Sequence, residues 1–331
     1  MKKIVVTFLL NTICVAGWAD GLDLYDALRA TYQNCVEIDN ELADLKKMAG
    51  INTAVTGLGT GLGIGATVVG LSKANIDKQI EEKFNTMKNV SYGASGNMVV
   101  VSSEDFIDSF AQFLQQKLND NSVKVTDIQE GVPANEIKKL LDEQNEEKKR
   151  ELTEKSKKLG RWRTGLIAGN TVTNVAGAVI AGNNKVDQPL QNQITNCVQS
   201  VKNLQNAIIQ ARFDGKDVTE AQQIVSACGG FEYVDISKIN KRATGSMVSS
   251  IVGSGTGVAG TITSALANTD SIRNDDSPDG KKKEKNLNTA ANVLAASSTV
   301  ASATATVFNA SQIKAIKDVA KIAQQCTEVL K

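Results

Sequence analysis

The chain is 331 residues long and carries 37 Lys+Arg against 36 Asp+Glu, a formal net charge of +1, so no excess of positive charge exists from which to build a nucleic-acid interface. It has no histidine, which removes the usual general base, the usual zinc and copper ligand and the usual pH switch together. Aromatic residues are only 4%, so Leu, Ile, Val and Ala must form whatever core there is.

The first residues combine Lys2 and Lys3, an apolar run from Ile4 to Val15, and the small-residue stretch Gly17-Trp18-Ala19. This is the pattern of a secretory signal over residues 1–19, cut after Ala19. The apolar run is too short to span a bilayer, and Cys14 lacks the small-residue context of a lipid anchor. The chain is therefore expected to be exported, to the periplasm, the outer-membrane surface or the medium. Removing the leader leaves Cys35, Cys197, Cys228 and Cys326, four thiols in an oxidising space, for which two disulfides are expected in any of three connectivities.

Residues 20–90 read as a helical hairpin with a glycine-rich arm. Leu24, Leu28, Thr31, Cys35, Ile38, Leu42 and Leu45 recur at steps of three and four and predict a helix over 22–48. The uncharged stretch Met48–Ser72 follows. Over 91–131, the β-branched runs Asn97–Ser102 and Val123–Thr126 flank a Phe-rich helical pattern and predict a small β-α-β insert. Residues 132–188 then read as one long helix, dense in Glu/Lys pairs first and uncharged over Thr164–Asn184.

In 189–331, Leu190, Ile194, Cys197, Val201, Leu204, Ile208 and Ala211 form a second stripe, and Ile316, Val319, Ala323, Cys326 and Leu330 a third. The likeness of Tyr32–Val36 to Ile194–Val198 suggests a weak internal duplication beginning near Leu22 and near Pro189. Ile236–Arg273 and Lys285–Leu330 are expected as long arms of a helical hairpin turned at Asn274–Gly280. Each contains an uncharged stretch, Ala243–Thr269 and Asn286–Ile313. The predicted fold class is mainly α: long helical hairpins forming an elongated bundle with Gly/Ala/Ser packing faces, plus the small α/β insert.

Glycines spaced by four let helix backbones approach closely, in water or in lipid. The helix-packing candidates are Gly57, Gly61 and Gly65, Gly165 and Gly169, and Gly253 and Gly257. Two nucleotide-binding patterns fail on context. Gly255–Gly260 matches G-x-G-x-x-G without a preceding strand, and in Gly65–Lys73 the lysine follows the serine instead of preceding it. The lysine runs at 155–163 and 281–283 read as solvated faces.

No catalytic, cofactor-binding or metal-ligating residues can be picked out, so no enzymatic activity and no cofactor are expected. All four uncharged stretches are long enough to cross lipid and are bracketed by Lys or Arg, yet they hold many Ser, Thr and Asn. The expected role is that of a cell-envelope structural or interaction protein whose small-residue hairpins self-assemble or associate peripherally with membrane. The rival is a pore-forming protein that inserts these hairpins on oligomerisation. The expected partners are a second copy, a membrane or another envelope protein, and not nucleic acid.

Overall fold

A computed structural model describes residues 23–87, 134–275 and 277–331. Among these residues every regular element is helical and no strand occurs. The helices are α1 (Leu24–Cys35), α2 (Ile38–Met87), α3 (Ala134–Asn183), α4 (Gln188–Phe213), α5 (Thr219–Cys228), α6 (Ile236–Ala267), α7 (Asp270–Arg273) and α8 (Pro278–Leu330), with a 3-10 turn at Gly229–Tyr233. The expected signal at 1–19 and the β-α-β insert at 91–131 lie outside the described residues.

Helix boundaries depart from expectation for local reasons. The helix expected over 22–48 is broken at Val36–Glu37, and α2 then carries its stripe through Met48 and on to Met87. No proline lies between Ile38 and Met87, so nothing in the backbone forces an end there. The last helix starts at Pro278, not Lys285, because proline at a first turn gives up only an N–H that has no helical partner. Ser277 caps it, its Oγ accepting from the Gly280 N–H at 3.0 Å. Helix α4 begins the same way: the Asp187 carboxylate accepts from the Leu190 N–H at 3.0 Å. It ends at Phe213, and two residues on the chain turns at Gly215, whose φ of 72° is a left-handed conformation that glycine adopts without steric cost.

The chain forms two compact units, and each of the four long helices α2, α3, α6 and α8 contributes a segment to both. The first unit takes residues up to Gly63, Gly169–Gly257 and Ser297–Lys331. The second takes Ile64–Ala168 and Val258–Ala296.

Much of the first unit is built as a water-soluble protein is. Helix α4 buries Leu190, Ile194, Cys197, Val201, Leu204, Ile208 and Ala211, the predicted stripe. They meet Ile38 and Leu42 of α2, Phe231 of the 3-10 turn, and Ile316, Val319 and Ala323 of α8 in one apolar cluster. Two disulfides cross it, Cys35–Cys197 with Cα atoms 5.0 Å apart and Cys228–Cys326 with Cα atoms 4.6 Å apart. The first joins the two segments whose sequences look alike. Two paired cystines point to an oxidising, exported environment.

Candidate functional site

The character of the interior changes along the long helices. The buried positions of α2 run Ala49, Asn52, Thr56, Gly59, Gly63, Ala66, Gly70 and Lys73, at steps alternating three and four. Helix α3 repeats the pattern with Gly160, Arg163, Ile167, Asn170, Asn174, Gly177 and Ala181. Helix α6 buries Ala243, Ser246, Ser250, Gly253, Gly257, Gly260 and Ser264, and α8 buries Asn288, Ala291, Ala295, Ser298, Ser302, Ala305, Asn309 and Gln312. This alternation is the seam of a coiled coil, here occupied by amides, hydroxyls and glycines instead of leucine.

In the first unit most of these groups bond one another, with Asn52 Oδ1, Ser250 Oγ and Gln312 Oε1 left without a partner. Asn52 Nδ2 donates to Asn309 Oδ1 at 2.9 Å, and Asn309 Nδ2 donates to Thr56 Oγ1 at 3.2 Å. Asn170 Nδ2 donates to Ser298 Oγ at 3.0 Å, Asn174 Nδ2 donates to Asn170 Oδ1 at 3.1 Å, and the Ser302 hydroxyl lies 2.9 Å from the Oδ1 of both asparagines. Ser298 Oγ in turn donates to the Gly253 carbonyl at 2.8 Å. Glycine makes the room for this. A Cβ at Gly253 would stand 2.8 Å from Asn174 Cγ, one at Gly59 would stand 3.1 Å from Asn170 Oδ1, and one at Gly257 would run into Thr171 Oγ1.

The expected packing glycines divide accordingly. Gly253 and Gly257 face the network, and Gly169 faces Leu62 at 3.2 Å. Gly57, Gly61 and Gly165 have nothing within 4 Å of an added Cβ, and Gly65 has only Leu166, at 3.5 Å. Gly57 and Gly61 therefore meet no other helix of this chain, Gly65 lies in ordinary contact with Leu166, and the α2 glycines in the tightest contacts are Gly59, Gly63 and Gly70. A repeat of exactly four drifts about 40° per step around a helix of 3.6 residues per turn, whereas alternating three and four stays on one face. Replacing Gly253 with Leu is thus expected to cost about 1–3 kcal/mol of stability by overpacking. Gly61→Leu, at an open position inside the helix, should instead leave monomer stability unchanged or raise it by up to about 1 kcal/mol, because leucine is the better helix former. Chemical denaturation of the two variants checks this.

The outer faces reverse the usual order. Leu58, Val172, Val175, Val179, Val248, Ile251, Val252, Val300 and Val307 of the first unit are half or more exposed, and so are Ile64, Val68, Leu71, Ile262 and Val293 of the second. Trp162, 68% exposed, stands beside Arg161 where the uncharged part of α3 begins. Asparagine and serine inside with valine and isoleucine outside is the reverse of a protein folded against water.

At the edge of the uncharged stretches the first unit forms a tied junction. Gln312 Nε2 donates to the Asn184 carbonyl at 2.7 Å, Arg242 donates to the Ser311 carbonyl at 2.7 Å, and Asn240 exchanges two bonds with Val186, at 2.8 and 3.2 Å. With its amide oriented to face donor and acceptor correctly, Asn184 bonds Leu45 O at 3.1 Å and the Ala49 N–H at 3.0 Å. The ends of all four stretches in this unit therefore lie at one level. Lys46, Lys47, Lys185, Lys241, Arg242 and Lys314 follow or precede them directly.

The second unit buries its cations. Lys73 is 1% exposed and pairs with Asp77 at 2.6 Å and Glu284 at 3.6 Å, while Ser156 donates to the other Asp77 oxygen at 2.5 Å. Arg163, fully buried, donates to Ser264 Oγ at 3.0 Å, Asn292 Oδ1 at 3.1 Å and Asn288 Oδ1 at 2.8 Å. Desolvation lowers its proton affinity and the field of Asp77 opposes that. Next to this layer Ala66, Ile167 and Ala295 form a small apolar cluster.

Burial raises the pKa of Glu284 above the ordinary glutamate value; Lys73 and Arg273 pull it back and Asp77 adds to the rise. A raised folded-state pKa contributes stability that is fully present below the unfolded pKa and lost as pH climbs through the folded one. Asp217, Asp235 and Asp275 are shifted the opposite way, chiefly by hydrogen bonds from Thr219, Ser237 and Ser277, and lose their contribution only below the ordinary aspartate range. Acidification should therefore first raise the thermal midpoint and then lower it. Glu284→Gln is expected to remove the first limb and keep the second, as melting curves across pH will show.

Among the described residues no group of three His, Cys, Asp or Glu side chains is placed to hold a metal. No protein-family model matches the chain, and neither a curated protein nor a solved structure shows significant similarity to it.

Proposed function

We propose that this chain is an exported envelope protein whose four uncharged helical stretches embed in a lipid bilayer, anchoring a disulfide-stapled apolar-cored portion outside it. The observation that carries the reading is the inversion of polarity, with Asn52, Asn170, Asn174, Ser298, Ser302 and Asn309 buried while valine and isoleucine line the outside. In water such an arrangement forfeits the apolar burial that holds a fold together. In hydrocarbon it is favourable, because polar groups bond each other inside and small residues let helices touch.

Dimensions support it. At about 1.5 Å per residue each stretch is roughly 30–40 Å long, against about 30 Å of hydrocarbon. Three helical regions, within Leu24–Glu81, Glu146–Phe213 and Pro278–Leu330, are long and apolar enough to cross a membrane, while α6, richer in Gly, Ser and Thr, falls short of that apolarity on its own. Trp162 and the exposed flanking residues Lys46, Lys47, Lys241, Lys285 and Lys314 suit the interface. The reading is structural rather than enzymatic: no nucleophile, base or metal cluster enters it.

Washing host membranes with carbonate at high pH provides the test. Retention in the membrane pellet is expected; release into the supernatant would sink the reading in favour of peripheral association. Because the interior amides bond one another, purified protein is expected to insert into dye-loaded liposomes without releasing the dye, and dye release would favour the permeabilising alternative.

A second copy is the further partner that the outward stripe Gly57, Gly61 and Gly65 favours, since a Cβ at Gly57 or Gly61 meets nothing in this chain. Sedimentation in detergent of Gly61→Leu beside the native chain tests it. Identical oligomeric states would remove self-association through this face.

A further inference from the structure

We infer that the first unit carries a binding site for the phosphate of an anionic lipid headgroup, in the groove between the start of α2 and the end of α8. The inference rests on the membrane-embedded reading above. The groove has a volume of about 200 Å³ and is lined by Lys46, Lys317, Lys321, Asp39 and Gln324 along with two alanines. Its three lysines are exposed, and none has an ion-pair partner among the described residues. Asp39 is the one carboxylate in the lining and pairs with none of them, so the groove is left with two net positive charges. Elsewhere in the chain buried and half-exposed lysines do find carboxylates, as Lys73 and Lys157 do with Asp77 and Asp270. Three unpaired ammonium groups converging on one concavity are arranged for a multiply negative oxygen ligand, which lysine binds as a point charge.

The position selects a lipid as its source. Lys46 lies two residues before Met48, Lys317 four after Ile313 and Lys321 eight after it, which places their backbones about 3, 6 and 12 Å beyond the uncharged stretches, with the Lys321 side chain leaning back toward the helix N-terminus as helical side chains do. The headgroup layer on each side of a bilayer is roughly 5–8 Å deep. On α8, Ala310 and Val307 are exposed and stand seven and fourteen residues before Lys317 and Lys321, within about 40° of those lysines around the helix, so they continue the face of the groove toward the acyl chains. A cationic groove at headgroup depth above an apolar strip matches an anionic phospholipid at both ends. Basic pockets at helix ends hold acidic headgroups in just this way.

The experiment uses the full chain in neutral maltoside micelles, titrated with fluorescent phosphatidylglycerol, with phosphatidylcholine and inorganic phosphate as comparators. The triple variant Lys46→Gln, Lys317→Gln, Lys321→Gln should weaken phosphatidylglycerol binding about a hundredfold, from roughly fivefold per lysine near an anionic headgroup. All three side chains are exposed, so helicity should be unchanged, and the matching Lys→Arg triple variant should retain the affinity. Undiminished binding by the Gln variant overturns the site. Equal competition by inorganic phosphate overturns the lipid assignment and gives the groove to free phosphate. Flotation of the native chain with phosphatidylcholine vesicles is read in parallel: failure to float brings down the embedded reading itself, whereas a floating protein that binds both lipids alike brings down only the headgroup site.

Discussion

Lysine at both Val172 and Val300 is expected to abolish stable membrane retention while leaving the helices formed. The two valines are 68% and 66% exposed and sit near the midpoints of the uncharged stretches Thr164–Asn184 and Asn286–Ile313. They are also at one level, because Asn170 and Asn174, on either side of Val172, bond Ser298 and Ser302, on either side of Val300. A charge at the centre of a lipid-facing helix costs about 2.5–3.5 kcal/mol on the insertion scale, so the pair should cost roughly 5–7 kcal/mol if the sites act independently. If the same face met water, each substitution would shift stability by no more than about 0.5 kcal/mol and would improve solubility. Carbonate extraction and liposome insertion of the double variant separate the outcomes, and full retention would show that the valines do not face hydrocarbon. Lysine at Asn174 is a useful contrast, because that side chain is buried in the network and its replacement should disturb folding in either solvent.

The inversion explains which parts of the fold were legible. The disulfide-stapled portion follows ordinary rules: leucine and isoleucine mark the inside of α4, and its stripe could be read residue by residue. Along the uncharged stretches the same reading fails, because it takes the apolar side to be the inner one. On α2 the inner face is Asn52, Thr56, Gly59 and Gly63, which registers as polar, and the outer face holds Leu58, Ile64 and Val68. The i+4 run of Gly57, Gly61 and Gly65 is the more conspicuous pattern and belongs to the outer side. The usable signal was the strict alternation of three and four steps joining Asn52 to Lys73, repeated from Ser156 to Ala181 and from Asn288 to Gln312. Each buried cation, Lys73 and Arg163, continues that register, which is how two charges that bracket a stretch in sequence come to lie inside the second unit. Cystine connectivity was not legible, since it depends on which helices meet; Cys35 and Cys197 share a partner face only because α1 lies against α4.

Reduction gives the second large effect. Cys35–Cys197 and Cys228–Cys326 close loops of 162 and 98 residues in sequence separation. In the chain-entropy account a loop of about 100 residues is worth roughly 4–5 kcal/mol, and measured losses for native disulfides run about 2–5 kcal/mol each. Replacing Cys35 and Cys197 with serine should therefore destabilise the apolar-cored portion by at least about 2 kcal/mol, with a further cost from setting two hydroxyls where buried sulfur had been. The effect should be local in character. The Asn-Ser network of α3 and α8 shares no side chain with the cystine cluster, so in a bilayer the embedded stretches should stay helical and resist carbonate while protease sites open around α1 and α4. Limited proteolysis of membrane-bound protein with and without reductant reads both at once. Unchanged cleavage after complete reduction would show that the leucine and isoleucine packing around Cys35 and Cys197 suffices without the covalent staple.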